Sequence, residues 1–355
     1  MIPITWISFR HQTPLKSEEN KMTAQNVFVI GASAGGVVAL KRLVGALSPD
    51  LPAAIFVVLH VRSDTESLLP RILNSSGPLK AAHAVDDQII ENSKIYIAPP
   101  DHHLVLEKDR VRLTRGPKEN RHRPAVDVLF RSAARAYGEQ VVGVVLTGFL
   151  DDGTAGLMSI KLRGGVAVIQ DPADAQYPAM PRSALENVDV DYCMPLDEIG
   201  PLIVQLAVTP NGADEIKDQG VNESAKEEVE IKSVTNGANE MKVEEQLDAI
   251  GKPSHLSCPE CGGILWEIEE GRLVRFRCHV GHAFSPASLA QDQSESIERA
   301  LWGAVRALKE KAILNRNISD RARGRGDRAT AASFEEYANE SEEYSNSLRR
   351  LMQDK

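Results

Sequence analysis

Between Val27 and about Leu206, short apolar runs alternate with amphipathic stretches, and few folds accommodate that order. Three of the runs, NVFVIGA, AAIFVVLHV and QVVGVVLTG, are apolar almost throughout, as strands buried on both faces of a sheet are. Stretches such as GGVVALKRLVGAL and VDVLFRSAARAYG have the spacing of helices with one apolar face. We therefore predict an α/β fold, a doubly wound and mostly parallel sheet with helices on both faces. HHLVLEKDRVRLTRG, with its KD turn, predicts a separate antiparallel strand pair.

Charge and cysteine content exclude several classes of protein. The 355 residues carry a formal net charge of −9, which argues against wholesale nucleic-acid binding because no excess of Lys and Arg is present. No apolar run approaches the roughly 20 residues of a membrane span. Three of the four cysteines cluster late in the chain, and Cys193 is expected to be a packed thiol. This usage indicates a reducing, cytoplasmic compartment.

Composition changes divide the chain into five segments. The first segment reads as a disordered extension or a start codon placed too early, because MTAQNVFVIG looks like a natural beginning. A stretch rich in Asp and Glu and without aromatic residues predicts a disordered linker, in which KVEEQLDAI has the pattern of a short helix. The predicted segments are an extension at 1–21, an α/β domain at 22–208, an acidic linker at 209–255, a zinc ribbon at 256–284 and a helical hairpin at 285–355.

The turn GASAGG follows the first predicted strand and fits two templates. A dinucleotide-binding turn would need an acidic residue about 20 positions on, where this chain has the strand end at His60. A nucleophile elbow, G-x-S-x-G, matches Gly31 to Gly35 and would present Ser33 on a sharp turn. This match alone does not separate a nucleophile from a tight structural turn.

Polar residues at other strand ends favour the nucleophile. His60 ends the second apolar strand, and Asp151 and Asp152 follow QVVGVVLTG. Ligands of open α/β sheets bind outside the carboxyl ends of the strands. Each residue has an ordinary alternative, such as a helix cap for Asp152, but three polar groups on one edge favour catalysis. The order Ser, His, Asp differs from that of α/β-hydrolases, in which histidine comes last.

Six ordered motifs resemble one family: GASAGG, VVLHV, IYIAPPDHH, NRHRPAVDVLFRSAA, GVVLTGFLDDGTAGL and QDPADAQYPAMPRSAL. Over roughly Val27 to Val204 the chain is similar to the catalytic domain of the chemotaxis protein-glutamate methylesterase family, CheB. The resemblance implies that Ser33 is the nucleophile, His60 the base and Asp152 the acid that orients the histidine. It also implies hydrolysis of γ-glutamyl methyl esters on chemoreceptors, with deamidation of receptor glutamines as a second reaction.

Backbone N–H groups of Ala34 and Phe149 are the expected oxyanion donors in this reaction. Phe149 and Leu150 depart from the family, which tends to read TGMG where this chain has TGFL. The family also usually carries a receiver domain ahead of the catalytic domain. Because the nucleophile turn begins at Gly31, we expect no receiver upstream, which leaves the regulation open.

A basic cluster, NRHRP, brings Arg121, His122 and Arg123 together. One hypothesis makes these residues a substrate-binding lip that meets acidic receptor helices. The alternative is a solvated loop with one structural arginine. His102 and His103 could line the same cleft, although turn capping is the simpler expectation.

A cysteine module follows the linker. Cys258 and Cys261, then Cys278 and His282, have the spacing of a structural, tetrahedral zinc ribbon, with LWEIEEGRLVRFR as its hairpin. His279 is an alternative fourth ligand, disfavoured because neighbouring ligands strain a tetrahedral site. No cofactor is expected for catalysis.

The last segment predicts two helices joined by RGRGDR, the first capped at Ser285 or Ser288. We expect them to pack on each other, and a homodimer through these helices is one hypothesis. The main alternative to an esterase is a signalling scaffold that docks through the ribbon and the helices. Nucleic-acid binding through RLVRFR and RARGRGDR is a weaker alternative, given the acidic surroundings.

Overall fold

The structure is a computed structural model, and it describes residues 26–61, 67–208 and 240–353. The predicted extension at 1–21 and the linker up to residue 239 lie outside the described residues.

The described residues up to Val208 contain nine strands. Seven of them form one sheet in which every neighbouring pair is parallel. The strands are β1 Asn26–Ala32, β2 Ala53–Leu59, β3 Lys80–His83, β4 Lys94–Ile97, β5 His103–Glu107, β6 Arg110–Thr114, β7 Val141–Val145, β8 Val166–Gln170 and β9 Tyr192–Met194. Their order in the large sheet is β3-β4-β2-β1-β7-β8-β9. The remaining two, β5 and β6, pair antiparallel as predicted.

Helices cover both faces of the large sheet. They are α1 Gly36–Gly45, α2 Leu69–Asn74, α3 Val126–Tyr137, α4 Thr154–Lys161, α5 Ala179–Asn187 and α6 Leu196–Val208. One apolar core joins α1, α2 and α6 to the face that carries Phe28 and Ile30 of β1. A second core joins α3, α4 and α5 to the face that carries Val27 and Val29. Alternate residues of β1 thus enter opposite cores, which confirms the doubly wound α/β fold.

Helix α2 begins at Leu69, where Pro70 suits the first turn. Elsewhere in this part, the structure differs from the sequence prediction at two edge strands and at one cysteine. The short edge strands β3 and β9 were not predicted, because four and three residues hold too little pattern. Cys193 in β9 is exposed rather than packed.

The remaining elements form an antiparallel sheet and a helix pair. They are α7 Glu240–Ile250, β10 Lys252–Ser257, β11 Ile264–Glu270, β12 Leu273–Cys278, β13 Ala283–Phe284, α8 Pro286–Gly324 and α9 Arg328–Gln353. The sheet order is β10-β11-β12-β13, with the expected hairpin between β11 and β12. Residues 240–255, predicted as disordered linker, instead form α7 and most of β10. The short helix expected at KVEEQLDAI is present as α7, but the stretch is not disordered, because Leu247 and Ile250 pack α7 on Trp266 and Ile268 of β11.

Ser285 caps α8 in a capping box with Ser288, as its sequence pattern indicates. The buried contacts between α8 and α9 are small residues, among them Ala312, Ser319 and Ala338. Across the described ranges, no helix has both the length and the apolar character that a bilayer crossing needs.

Candidate active site

Three polar side chains meet where adjacent parallel strands end. Ser33 follows β1, His60 follows β2 and Asp152 lies after β7, and β1 lies between the other two strands in the sheet. The Ser33 Oγ lies 3.1 Å from His60 Nδ1, and His60 Nε2 lies 2.7 Å from Asp152 Oδ2. A continuous hydrogen-bonded chain therefore links the serine hydroxyl to a buried carboxylate.

The serine turn is fixed by backbone contacts on both sides. The Ser33 N–H donates to the carbonyl of Thr147 at 3.0 Å, which ties the end of β1 to the segment after β7. Gly35 has φ 75° and precedes α1, so the chain reverses sharply just after the serine. The amino end of α1 therefore lies beside Ser33, where helix N–H groups favour developing negative charge.

Asp152 is 2% exposed, and its carboxylate accepts four hydrogen bonds. The Oδ2 atom accepts from His60 Nε2 and from the Val126 N–H, and Oδ1 accepts from the Asn120 amide and the Asp127 N–H. Three of these partners, the Asn120 amide and the two backbone N–H groups, can only donate, which favours an ionised carboxylate; His60 then donates to it from Nε2. Burial alone would raise the pKa of Asp152, but the hydrogen bonds from His60 and Asn120 hold it below its ordinary value. His60 Nδ1 is thereby left free to accept the Ser33 proton.

A second buried carboxylate, Asp127, lies behind Asp152. Its Oδ1 accepts from the N–H groups of Gly153 and Gly156, which fixes the start of α4. Its Oδ2 accepts from the Asn120 amide at 2.8 Å. Burial and the neighbouring Asp152 raise the pKa of Asp127 above its ordinary value. Through these contacts Asp127 supports the segment that carries Asp152.

The two predicted oxyanion donors flank Ser33. Neither the Ala34 N–H nor the Phe149 N–H donates a hydrogen bond to another of the described residues. The side chain of Phe149 is 58% exposed and packs against Tyr177 with ring centroids 4.6 Å apart and the two rings tilted by 60°. Leu150 has φ 59°, a left-handed conformation that a glycine would adopt more readily, so the TGFL departure carries a backbone cost.

The NRHRP cluster separates into three different environments. Arg121 forms ion pairs with Asp292 and Glu295 of α8, at 2.6 and 2.5 Å. The ring of His122 stacks on His60, with centroids 3.6 Å apart and an interplanar angle of 11°. Burial and the neighbouring His60 lower the pKa of His122 to about 3, so the ring is neutral near pH 7.

Arg123 does not reach the cleft, and this corrects the expectation of a three-residue basic lip. Its guanidinium binds the carboxylate of Asp101 and the carbonyl of Gly116. His103, 2% exposed, faces the carbonyl of Pro117 at 2.9 Å, and His102 that of Pro100. These residues shape the surrounding turns instead of lining the site.

A cleft of about 370 Å³ opens beside Ser33. One wall of the cleft comes from the α/β part of the chain. The opposite wall comes from residues 240–353, here called the C-terminal segment, so two stretches that are distant in the sequence build the cleft. The lining residues are Ser33, Lys118, Arg121, His122, Phe149, Leu150, Glu260, Asp292, Glu295 and Arg299.

The predicted metal ligands also come together. Ligand atoms of Cys258, Cys261, Cys278 and His282 all lie within 4.8 Å of one another. The Cys261 and Cys278 sulfurs are 3.7 Å apart, and His282 Nδ1 lies 3.7 and 3.5 Å from the sulfurs of Cys258 and Cys278. A tetrahedral zinc with Zn–S bonds of about 2.3 Å separates its sulfurs by about 3.8 Å. The donor set therefore fits zinc, and His279 lies outside it.

Sequence reasoning did not single out Asn120 or the acidic residues of α8. Asn120 was quoted within NRHRP only as the neighbour of the basic residues, although an amide beside a catalytic motif is a usable signal. Asp292 and Glu295 belong to an amphipathic helix pattern, in which acidic residues ordinarily face solvent. Nothing in that pattern indicates contact with Arg121.

Comparisons with known proteins agree on the first part of the chain. Residues 28–203 match the family model of the CheB methylesterase. A protein-glutamate methylesterase/protein-glutamine glutaminase 2 of Methanosarcina mazei is 35% identical over 204 residues, which are 55% of this chain and 56% of that relative. A solved structure, the CheB methylesterase catalytic domain of Thermotoga maritima, has 32% identity and a TM-score of 0.49, covering 51% of this chain and 98% of that one.

A relative from Leptospira interrogans serogroup Icterohaemorrhagiae serovar copenhageni carries the same enzyme name in provisional form. It is 39% identical over 179 residues, which are 50% of this chain and 93% of the relative. The match thus spans nearly the whole of that protein, and the residues matched by the family model include Ser33, His60 and Asp152. The chain therefore belongs to the CheB methylesterase family.

Proposed function

We propose that this protein is a serine hydrolase that demethylates glutamate γ-methyl esters on chemoreceptor-like signalling proteins. In this proposal Ser33 is the nucleophile, His60 the general base and Asp152 the acid that orients the imidazole. The observation that carries it is the hydrogen-bonded chain from the Ser33 hydroxyl through His60 to Asp152. The enzyme name shared by the relatives supports the same reaction.

The first half of the reaction is acylation. His60 Nδ1 accepts the hydroxyl proton as Ser33 Oγ attacks the ester carbonyl, and Asp152 stabilises the imidazolium that forms. The N–H groups of Ala34 and Phe149 are the proposed donors to the oxyanion, beside the amino end of α1. The imidazolium then protonates the departing methoxide, and methanol leaves an acyl-enzyme on Ser33.

The second half is hydrolysis. His60 takes a proton from water, the hydroxide attacks the acyl carbonyl, and the Ser33 oxygen leaves with the proton returned by His60. The products are a free glutamate side chain and the regenerated serine. A glutamine side chain offers the same carbonyl with ammonia as leaving group, so deamidation is proposed as a second activity, in keeping with the glutaminase part of the relatives' names.

We also propose a structural zinc held by Cys258, Cys261, Cys278 and His282. Its tetrahedral set leaves no position open for substrate, so the metal would contribute folding energy rather than chemistry. The proposal places the protein in the cytoplasm, where the thiolates stay reduced. Metal analysis of the purified protein should find about one zinc per chain, and a Cys258→Ser variant with unchanged metal content would contradict the ligand set.

Homodimerisation through the C-terminal helices is proposed as well. Apolar side chains stay exposed on α8 and α9, including Trp302, Ile313, Tyr337 and Tyr344, each between 46% and 59% exposed. Light scattering after gel filtration would measure the mass directly. A monomer at all concentrations tested would remove this proposal.

The experiment that tests the function is methanol release from methylated chemoreceptor fragments by the full chain and by Ser33→Ala. Release by the parent chain and none by the variant would support the esterase. Cys193→Ser, an exposed cysteine far from the metal cluster in sequence, is a control variant that should behave as the parent.

A second outcome would favour the scaffold hypothesis. If neither the full chain nor a 22–208 fragment that folds releases methanol, the esterase proposal fails. Binding of the receptor fragments by the full chain would then be the activity to pursue.

A further inference from the structure

Asn120 occupies the centre of the buried polar network behind the triad. It is 2% exposed, and its amide Nδ2 donates to Asp152 Oδ1 at 2.9 Å and to Asp127 Oδ2 at 2.8 Å. Both acceptors are carboxylate oxygens, so the nitrogen of the amide must face them and the oxygen must face the opposite side. The carboxylates of Asp152 and Asp127 thereby fix the orientation of the Asn120 amide.

The opposite side belongs to the C-terminal segment. The Asn120 Oδ1 accepts from the Ser285 N–H at 3.0 Å and from the Ser288 hydroxyl at 3.3 Å, both at the capping box of α8. The backbone N–H of Asn120 donates to the carbonyl of Ala283 in β13 at 2.8 Å. One side chain therefore spans from the catalytic carboxylate to a helix start 165 residues away in the sequence.

The loop that carries Asn120 depends on the same contacts. Asn120 and Arg121 have φ values of 48° and 73°, conformations that few side chains adopt, although Asn tolerates them better than most. Arg121 is held by Asp292 and Glu295 of α8. Glu119, one residue earlier, is paired with Arg275 of β12 at 3.1 Å. Glu119, Asn120 and Arg121 thus each bind a residue of the C-terminal segment.

From these contacts we infer that Asn120 is a positioning residue that fixes the Asp152 carboxylate and makes its placement depend on the docked start of α8. The inference rests on the proposed function, since it assigns Asn120 a role in orienting the proposed triad. Asn120 touches no reacting atom. Its contribution is to hold Asp152 Oδ1, so that Oδ2 stays aligned with His60 Nε2.

The test compares four full-length variants. Asn120→Gly removes the amide and keeps the left-handed backbone free of strain, whereas alanine would add strain at φ 48°. Ser288→Ala removes one of the two donors to Asn120 Oδ1. The double variant measures their coupling, and Ser294→Ala is the matched control, because its hydroxyl bonds only the Ala290 carbonyl of its own helix.

Two readouts are used: kcat and KM for methanol release from methylated receptor fragments, and the low-field proton NMR resonance of the His60 Nε2–H. We expect Asn120→Gly to lower kcat about 10- to 100-fold, the range of one hydrogen bond to a charged group, with KM within about twofold. The low-field proton should broaden through faster exchange with water. Ser288→Ala should lower kcat by a few fold, and the double variant should match Asn120→Gly, because Ser288 acts through Asn120.

Parent-like kcat and an unchanged proton resonance in Asn120→Gly would overturn the inference, as would strictly additive effects in the double variant. A fall in kcat that only follows a smaller folded fraction would assign Asn120 a structural role instead. Failure of the esterase itself is recognised separately, by methanol release that persists in Ser33→Ala. In that case the His60 proton resonance still decides whether Asn120 fixes the Asp152 carboxylate.

Discussion

At the triad, His60 is held on two sides by different physical means. The Asp152 carboxylate fixes the Nε2 edge of the imidazole by a hydrogen bond of 2.7 Å, and His122 covers one ring face by stacking. Because burial keeps the pKa of His122 near 3, its ring stays uncharged across the working range and does not repel the imidazolium formed on His60. His122 thus acts as a flat, neutral support.

Substitution of His122 tests this interpretation. His122→Phe keeps a flat ring against His60, so we expect kcat within a few fold of the parent, whereas His122→Ala opens space beside the imidazole and should lower kcat about 10-fold. The pH profile of the parent above pH 5 should show no ionisation of His122, since its pKa of about 3 lies below that range. Initial rates from pH 5 to 9 measure both effects.

Equal loss in the phenylalanine and alanine variants would contradict a purely supporting ring. It would mean that a nitrogen of His122 contacts the substrate. Measuring KM in both variants separates the two cases, because a lost substrate contact raises KM while a misplaced imidazole lowers kcat.

The three proposed triad residues were predicted from strand ends and from a family resemblance, and both signals are local. The sequence could not show what surrounds them. Asn120 and His122 come from one loop whose conformation has two left-handed residues, and no pattern in NRHRP predicts that backbone. The basic lip was the natural hypothesis for three adjacent cationic side chains, but the loop sends Arg121, His122 and Arg123 in separate directions.

Among the elements, the segment after β7 packs closely against Ser33. An added Cβ on Gly148 would lie 2.0 Å from the Met180 sulfur and 2.8 Å from Ser33 Cβ. Neither distance is tolerable, so the loop or the serine would have to move. The carbonyl of Gly148 also accepts from the Met180 N–H, which joins this loop to α5.

We therefore expect Gly148→Ala to lower kcat at least 100-fold, since displacements near 1 Å at a reacting group have costs of that order. Gly303→Ala in α8 is the matched control, because among the described residues no atom beyond its chain neighbours and its own helix backbone lies within 4 Å of the added Cβ. The control should keep its activity and gain about 0.5–1 kcal/mol of stability from the better helix propensity of alanine. Rates and thermal melting of both variants are the measurement. An active Gly148→Ala would show that the loop moves freely.

Helices and strands were predicted correctly from the sequence where the element is long or has a defined end. The central strands, the antiparallel β5–β6 pair and the capped start of α8 all have such patterns. β3 and β9 were missed because short edge strands are stabilised by pairing with a neighbour rather than by their own composition. The helix α7 lies in an acidic stretch, and its burial on β11 is a tertiary effect that composition cannot reveal.

In the molecule as a whole, the C-terminal segment contacts the loops that form the candidate active site. β13 bridges to the loop at Glu119, and α8 supplies one wall of the cleft beside Ser33. No periodicity relates positions this far apart in the sequence, so this arrangement had to come from the structure. We therefore expect the proposed zinc, although none of its ligands belongs to the triad, to affect the rate of methanol release.

Metal removal tests that consequence. Chelation, or Cys261→Ser, should loosen the β10–β13 sheet, lower the melting temperature and reduce methanol release, because the Asn120 loop loses its partners in β12 and β13. Cys193→Ser, with its cysteine exposed and outside the cluster, should change neither quantity. Increased release after chelation would reverse the interpretation and make the segment an inhibitor of the site.

The contact between the two parts of the chain is partly ionic and buried. Glu119, 6% exposed, accepts hydrogen bonds from Arg131 of α3 and Arg275 of β12. Burial alone would raise the pKa of Glu119, but the two guanidinium groups outweigh it and hold the pKa well below its usual range. A carboxyl with a lowered folded-state pKa contributes stability that is present above its unfolded pKa, about 4.3, and is lost as the pH falls.

The decrease in the free energy of unfolding at acid pH should therefore depend on Glu119. We expect Glu119→Gln to be less stable than the parent at pH 7 by about 3–5 kcal/mol, since it removes the carboxylate that binds the buried guanidinium groups of Arg131 and Arg275. We also expect its free energy of unfolding to fall less steeply between about pH 5 and pH 3, because the titrating group is gone. Urea unfolding at pH 7, 5 and 3 measures both effects. Glu342→Gln, which breaks an exposed pair with Arg316, should cost no more than about 1 kcal/mol and keep the acid slope of the parent. If Glu119→Gln kept that same slope, the acid sensitivity would belong to other carboxylates, with Asp152 the first to examine, because its pKa is also lowered in the folded state.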